Sequence, residues 1–162
     1  MAVDMYLSVK GIDGESNDSK LKGHIQVLSW SWDVAQKGTA GSGSGLTAGS
    51  VEHRDIIIRK RVDKASPVLY NHCCTGEHIP SADLIVRKAA GKSGALEYVV
   101  IHLEKLLITG YTLGGQPQAD QIEEELKINY AKIKITYTPQ DDEGQGMPPV
   151  IAGWNLQENV TF

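Results

Sequence analysis

The chain has 162 residues, with 16 Lys and Arg against 20 Asp and Glu and a formal net charge of −4. That length makes a single domain able to bury about 70% of its unfolded surface without staples, and the acidic balance argues against a dedicated nucleic-acid binder, whose phosphate contacts demand a net basic surface. No run approaches the length needed to cross a bilayer, and the two cysteines, Cys73 and Cys74, are neighbours that cannot tie distant parts of a fold together.

Met5, Leu7 and Val9 alternate with Tyr6, Ser8 and Lys10, which predicts a first strand from about Val3 to Lys10. The stretch from Gly11 to Gly23, with Asp13-Gly14 and Asn17-Asp18, reads as a loop. The run Ile25 to Val34 then alternates large apolar and small polar residues: Leu28, Trp30, Trp32 and Val34 on one face, Ser29, Ser31 and Asp33 on the other. A parity change between Val27 and Leu28 marks a bend before it. From Lys37 to Ser50 almost every side chain is small, predicting a loop with little of its own to pack. Val51 to Val62 is a further strand.

One helix carries proper signals: Ser66 as N-cap, Pro67 at the first helical position and Gly76 as C-terminal cap, with Val68, Leu69 and His72 or Cys73 on its apolar side. Strands follow at Asp83 to Lys88, with Leu84 and Val86 on one face, at Leu96 to Leu113 and at Gln121 to Tyr137. The loop Gly114 to Asp120 is short enough to make the last two antiparallel neighbours. In the last, Leu126, Ile128 and Tyr130 share one parity while Ile133, Ile135 and Tyr137 share the other, so a bulge or bend near Ala131 is required. A polar loop, Pro139 to Pro149, leads to the closing segment Val150 to Phe162. The fold expected is mainly β: a bent two-sheet antiparallel structure with one short flanking helix, its core anchored by Trp30, Trp32 and Trp154.

Candidate chemistry is thin. His72-Cys73-Cys74-Thr75-Gly76-Glu77-His78 clusters four possible zinc ligands, but adjacent cysteines on a helix diverge by about 100°. A helix end with a small buried thiol is the simpler reading. Gly43-Ser44-Gly45-Leu46-Thr47-Ala48 matches G-x-G-x-x-A, yet a strand follows where a dinucleotide site needs a helix. His24, His53 and His102 stand isolated on strand-like segments. No metal, cofactor or catalytic set is expected. Glu123-Glu124-Glu125 and Asp141-Asp142-Glu143 read as solvated charge. The basic run around Arg59-Lys60-Arg61 is opposite in sign to them; Arg59, Lys60, Glu123 and Glu124 are candidate contacts between subunits, with two unrelated solvated patches, or a nucleic-acid contact through Arg59, Lys60 and Arg61, as the alternatives.

Several segments in register resemble one family. They are Met1-Ala2-Val3-Asp4-Met5-Tyr6, Val27-Leu28-Ser29-Trp30-Ser31-Trp32 with the glycine-serine loop after it, Val62-Asp63-Lys64-Ala65-Ser66-Pro67-Val68-Leu69, Ile85-Val86-Arg87-Lys88-Ala89-Ala90-Gly91, and Gly153-Trp154-Asn155-Leu156-Gln157-Glu158-Asn159. Together they are similar to the Hcp (haemolysin co-regulated protein) family. The resemblance implies a bent two-sheet β-barrel spanning residues 1–162 with no effector extension, and a non-enzymatic role. It implies six copies in a ring with a central hole, and rings stacking head to tail into the inner tube of the type VI secretion system. The implied partners are a VgrG spike, a contractile sheath and baseplate, and small effectors carried or chaperoned in the lumen; no nucleic acid and no membrane insertion are implied. Such a protein leaves the bacterial cytoplasm for the medium or a target cell without a cleaved signal peptide, in keeping with an N-terminus that has no basic patch or apolar stretch. On this reading Ser29 and Ser31 line the hole while the tryptophans fill the core.

Overall fold

A computed structural model describes residues 3–38, 48–90 and 94–162, without the side chain of Ala89. In chain order the elements are β1 (Asp4–Val9), β2 (Ile25–Gln26), β3 (Ser29–Ser31), β4 (Val34–Gly38), β5 (Ala48–His53), β6 (Ile56–Arg61), α1 (Ser66–Thr75), β7 (Ile79–Ala89), β8 (Ala95–Gly114), β9 (Glu123–Tyr137), β10 (Val150–Asn155) and β11 (Val160–Thr161). All pairings between the described strands are antiparallel.

The long β8–β9 hairpin belongs to two sheets. Its first leg pairs with β7 from Ala95 to Leu106, and β7 with β1, whose other neighbour is β2. On the far side the second half of β9, Lys132 to Tyr137, pairs with β10. The first half of β9, Glu123 to Ile128, instead pairs with β6, which carries β3. One sheet therefore runs β11-β10-β9-β8-β7-β1-β2, and a four-stranded one runs β3-β6-β9-β8.

The turn from one sheet to the other occurs where sequence parity changes. Leu103 faces Ile133 and Leu106 faces Tyr130 in an unbroken register, but Lys105 and Ala131 between them are not paired. Lys105 lies in the left-handed region at φ 53. Both strands switch their buried side there: Ile101 and Leu103 precede Leu106 and Ile108 on β8, while Leu126, Ile128 and Tyr130 precede Ile133 on β9. The feature near Ala131 is thus a bend shared by both strands; the register shift lies elsewhere, between Ile108 and Gly110. At the opposite corner the chain crosses sheets between Val27, whose N–H donates to Met5, and Leu28, whose N–H donates to Arg59.

The core fills the space between the sheets, with Leu7, Ile25, Ile58, Leu84, Ile101, Leu103, Leu106 and Leu126 nearly inaccessible. Leu69 of α1 plugs into it. A smaller cluster of Tyr6, Leu21 and Ile85 lies under the 11–24 loop, which Arg87 holds down by donating to Asp18 at 2.7 and 3.1 Å. At Gly153 a Cβ would stand 2.5 Å from the Phe162 carbonyl oxygen, so only glycine lets β11 fold back this closely.

Four expectations need correction. The described sheets are bent and packed but are not a closed barrel: the sheet path ends at β11 and β2. The stretch from Lys37 to Ser50 is not all loop, because Val34–Gly38 and Ala48–His53 form a hairpin of their own; residues 39–47, with most of the G-x-G-x-x-A match, lie outside the described residues. Val34 therefore leaves the tryptophan face and is 41% exposed. Finally, the residue capping α1 is Ala65, without a side-chain bond, and Val68 points to solvent. Gly76 does close the helix in the left-handed conformation, donating to His72.

Candidate functional site

The four-stranded sheet presents a polar wall to the outside. Across β3, β6, β9 and β8 one row reads Ser29, Arg59, Glu125, Thr112, and the next reads Ser31, Ile57, Lys127, Gly110. Ser29, Ser31, Arg59, Thr112 and Lys127 are exposed. The row between them, Trp30, Ile58, Leu126 and Tyr111, faces the core, as strand alternation requires. Trp30, Trp32 and Trp154 are each half-buried and packed against the main core.

The basic and acidic runs meet within one chain. β6 lies beside β9 with Lys60 directly opposite Glu124, and both are buried, with Lys60 wholly inaccessible. Lys60 Nζ pairs with Glu124 Oε1 and also donates to Asp63 Oδ1 at 2.9 Å, Ser66 Oγ at 3.1 Å and the Arg61 carbonyl at 2.9 Å. Ser66 Oγ donates to Glu124 at 2.7 Å, and Tyr111 donates to the other carboxylate oxygen. Burial and this carboxylate push the Tyr111 phenol well above its ordinary range. Every donor of the ammonium is used, which is what a buried charge requires. Lys60 and Glu124 are consequently unavailable for a contact between subunits, and Glu124 is not solvated. Ser66 is drawn inward to the same cluster, which is why it does not cap its helix. Arg59 and Glu123 remain exposed and pair with each other at 3.2 Å.

At the root of the β4–β5 hairpin lies an aromatic cluster. His53 stacks on Trp154 at 6.5 Å with planes 15° apart, and lies 6.4 Å from Trp32 and 6.5 Å from Tyr130. Trp32 Nε1 donates to Tyr130 Oη at 2.5 Å, and Tyr130 donates to the Arg54 carbonyl at 2.8 Å. Burial lowers the His53 pKa below 6.5 and pushes Tyr130 up to about 12. His53 is thus no isolated strand residue, though nothing in its sequence neighbourhood signals the three rings around it. His102 differs. Its partial burial opposes charge, but Nδ1 meets Asp83 at 2.7 Å and Nε2 meets Glu104 at 3.3 Å, and the carboxylates raise its pKa above 6.5.

The His72 to His78 segment offers little. Cys73 is half-buried against the core, Cys74 is exposed and both thiols are free. His72 Nδ1 donates to the Val68 carbonyl at 2.9 Å and its Nε2 lies 3.7 Å from Glu77. Among the described residues no three His, Cys, Asp or Glu side chains converge on a point where a metal could sit.

A two-sheet β fold with a polar outer wall fits a structural or binding protein. Residues 6–137 match the family described as "Type VI secretion system effector, Hcp". Protein hcp1 of Pseudomonas aeruginosa is 37% identical over 161 residues, covering 99% of each chain. Among solved structures, Hcp1 from Salmonella typhimurium superposes with a TM-score of 0.82 at 32% identity over the whole of both chains. A structure described as a type six secretion system protein gives 0.92 at 27% identity, covering 99% of this chain and all of the other. The chain belongs to the Hcp family. It is a type VI secretion tube protein, a structural component that is itself secreted.

Proposed function

We propose that six copies form a ring around a central hole, that rings stack head to tail into a tube, and that the wall carrying Ser29 and Ser31 faces the hole. The observation that supports this is the composition of that wall. Small hydroxyls stand among charges of both signs, Arg59 and Lys127 with Glu125, and Ile57, its apolar member, is half-buried. Such a surface stays wetted and offers no single tight site, which suits a passage that carries varied small effectors without catalysis. The chain would be made in the cytoplasm and leave without a cleaved signal peptide, meeting a VgrG spike at the tube tip, a contractile sheath around it and a baseplate beneath. Arg59 and Glu123 are the charged assembly candidates left after Lys60 and Glu124 are turned inward.

Light scattering on purified protein, with particle images of the same fraction, tests the ring: six chain masses and an open centre are expected, and a compact monomer sinks the reading. Ser31→Gln then tests the wall. Retained ring mass with weakened effector retention is expected, whereas unchanged retention would move the lumen to another face.

A further inference from the structure

The β4–β5 hairpin is hydrogen-bonded to no other described strand, and none of its described residues from Val34 to Glu52 belongs to either core cluster. What joins it to the body is its root. There the Arg54 N–H donates to the Asp33 carbonyl at 3.1 Å and the side chains of the same two residues pair, which ties the two legs together. Tyr130 Oη donates to the Arg54 carbonyl and anchors the root on β9. His53, the last residue of β5, adds a further hold, its half-buried ring lying against Trp32, Tyr130 and Trp154.

An open cleft of about 480 Å³ separates Val34, Gln36 and Val51 of the hairpin from Trp154 and Asn159 of the body, and His53 lines it. Water thus has access to the edge of the ring. The charged side chains on the segments that meet here are otherwise engaged or turned elsewhere. Asp33 and Arg54 bind each other, Asp55 accepts from Thr109 and Asn129, Lys132 reaches Glu104, and neither Glu52 nor Glu158 lines the cleft. Tyr130, pushed up to about 12, stays neutral. No carboxylate among the described residues of the cleft answers a charge on His53, whereas His102 has two against it. Aromatic faces attract a cation, but the desolvation outweighs them and lowers the His53 pKa below 6.5.

We propose that His53 is a proton-operated latch on the hairpin. Neutral, its ring docks the hairpin against Trp154; protonated, the ring leaves its three aromatic neighbours for water and the hairpin swings away from the body. Opening is local, because the hairpin contributes nothing to the core and the anchor at Tyr130 can stay in place. The released ring binds a proton more readily than the docked one. Acidification below pH 6.5 therefore favours the open arrangement, until the docked ring titrates as well. Whatever the hairpin touches is held at neutral pH and let go in mild acid. The latch works within one chain and does not depend on the ring reading.

The test is fluorine NMR on the full chain with its three tryptophans replaced by fluorotryptophan, recorded in H2O and in D2O at pH values on both sides of 6.5. On acidification the Trp154 resonance is expected to gain the solvent isotope shift of a wetted ring, while Trp30, outside the cluster, keeps its own. His53→Phe, which cannot take up a proton, is expected to leave Trp154 dry at every pH. His53→Lys, charged throughout, is expected to leave it wet at every pH. A Trp154 resonance that titrates without gaining the isotope shift means that His53 is protonated in place and overturns the latch. An isotope shift that persists in His53→Phe overturns it too, because another group then drives the opening. Should either variant fail to fold, the uncharged His53→Gln takes the place of His53→Phe, and the wild-type titration stands in for His53→Lys.

Discussion

Two clusters hang from the same face of β9, six residues apart, and they are held by opposite means. Around Glu124 a fully buried ammonium, a carboxylate and two hydroxyls saturate one another. At Tyr130 a second cluster forms, in which His53 meets Tyr130, Trp32 and Trp154, the three other rings half-buried, with one side-chain bond among them. The first tolerates no missing partner, because a buried charge left alone keeps its desolvation cost. The second loses area and contacts in proportion to what is removed, and burial holds its histidine below the ordinary imidazole range.

The largest way to break this contrast is Lys60→Met, which strands Glu124 in the interior and is expected to cost about 3–5 kcal/mol in urea unfolding. The double variant Lys60→Met with Glu124→Leu is expected to recover most of that loss, since apolar replacement of a buried pair is often neutral or stabilising. A double variant as unstable as the single would mean that the helix-to-sheet packing, not the charge, is what Lys60 supplies. Outside both clusters, Trp30→Ala in the core-facing row is expected to cost about 3 kcal/mol or less, the low end for a tryptophan, because its ring is only half-buried. Trp32→Phe, which removes the Nε1 bond to Tyr130 but keeps an aromatic ring, is expected to cost about 0.5–1.5 kcal/mol.

Protonation sharpens the comparison further. His53 is depressed below 6.5, so its neutral ring favours the fold: that contribution is complete above pH 6.5 and declines as pH falls through the folded value. His102 is raised above 6.5, so its contribution is complete below pH 6.5 and is lost as pH rises through the folded value. Ring-proton titrations by NMR should therefore place the two midpoints on opposite sides of 6.5, and a reversed order would contradict the environments described for both. The smallest effect belongs to Arg59→Ala, whose exposed pair with Glu123 is expected to contribute about 1 kcal/mol or less to chain stability.

Local alternation carried most of the architecture into view. The two faces around Trp30, the parity changes at Val27 and Ala131, and the antiparallel partnership of the two longest strands follow from the period of side chains along a strand, although the expected Ile25 to Val34 strand is broken into β2, β3 and the start of β4. What alternation cannot convey is which strand lies beside which. Arg59-Lys60-Arg61 and Glu123-Glu124-Glu125 read as two separate charged runs until β6 and β9 are adjacent, when their middle members become a buried pair. The same blindness hides Ser66, whose sequence context suits a helix cap but whose partners come from β6 and β9. His53 likewise acquires its meaning from rings on three other segments. For the candidate wall, Ser29 and Ser31 were legible because their neighbours on either side are large and apolar, whereas Arg59, Glu125 and Thr112 join them only through register.

The hairpin that serves both sheets has a consequence for how a subunit bears load. Each sheet borrows half of each leg, so neither can be peeled away without tearing the strands that seat the other. Local opening can begin at short edges such as β2 or β11, but it has no boundary inside the bent hairpin at which to stop. A single subunit pushed or pulled along its length is therefore expected to yield as one body, which suits a tube component that must leave the cell intact.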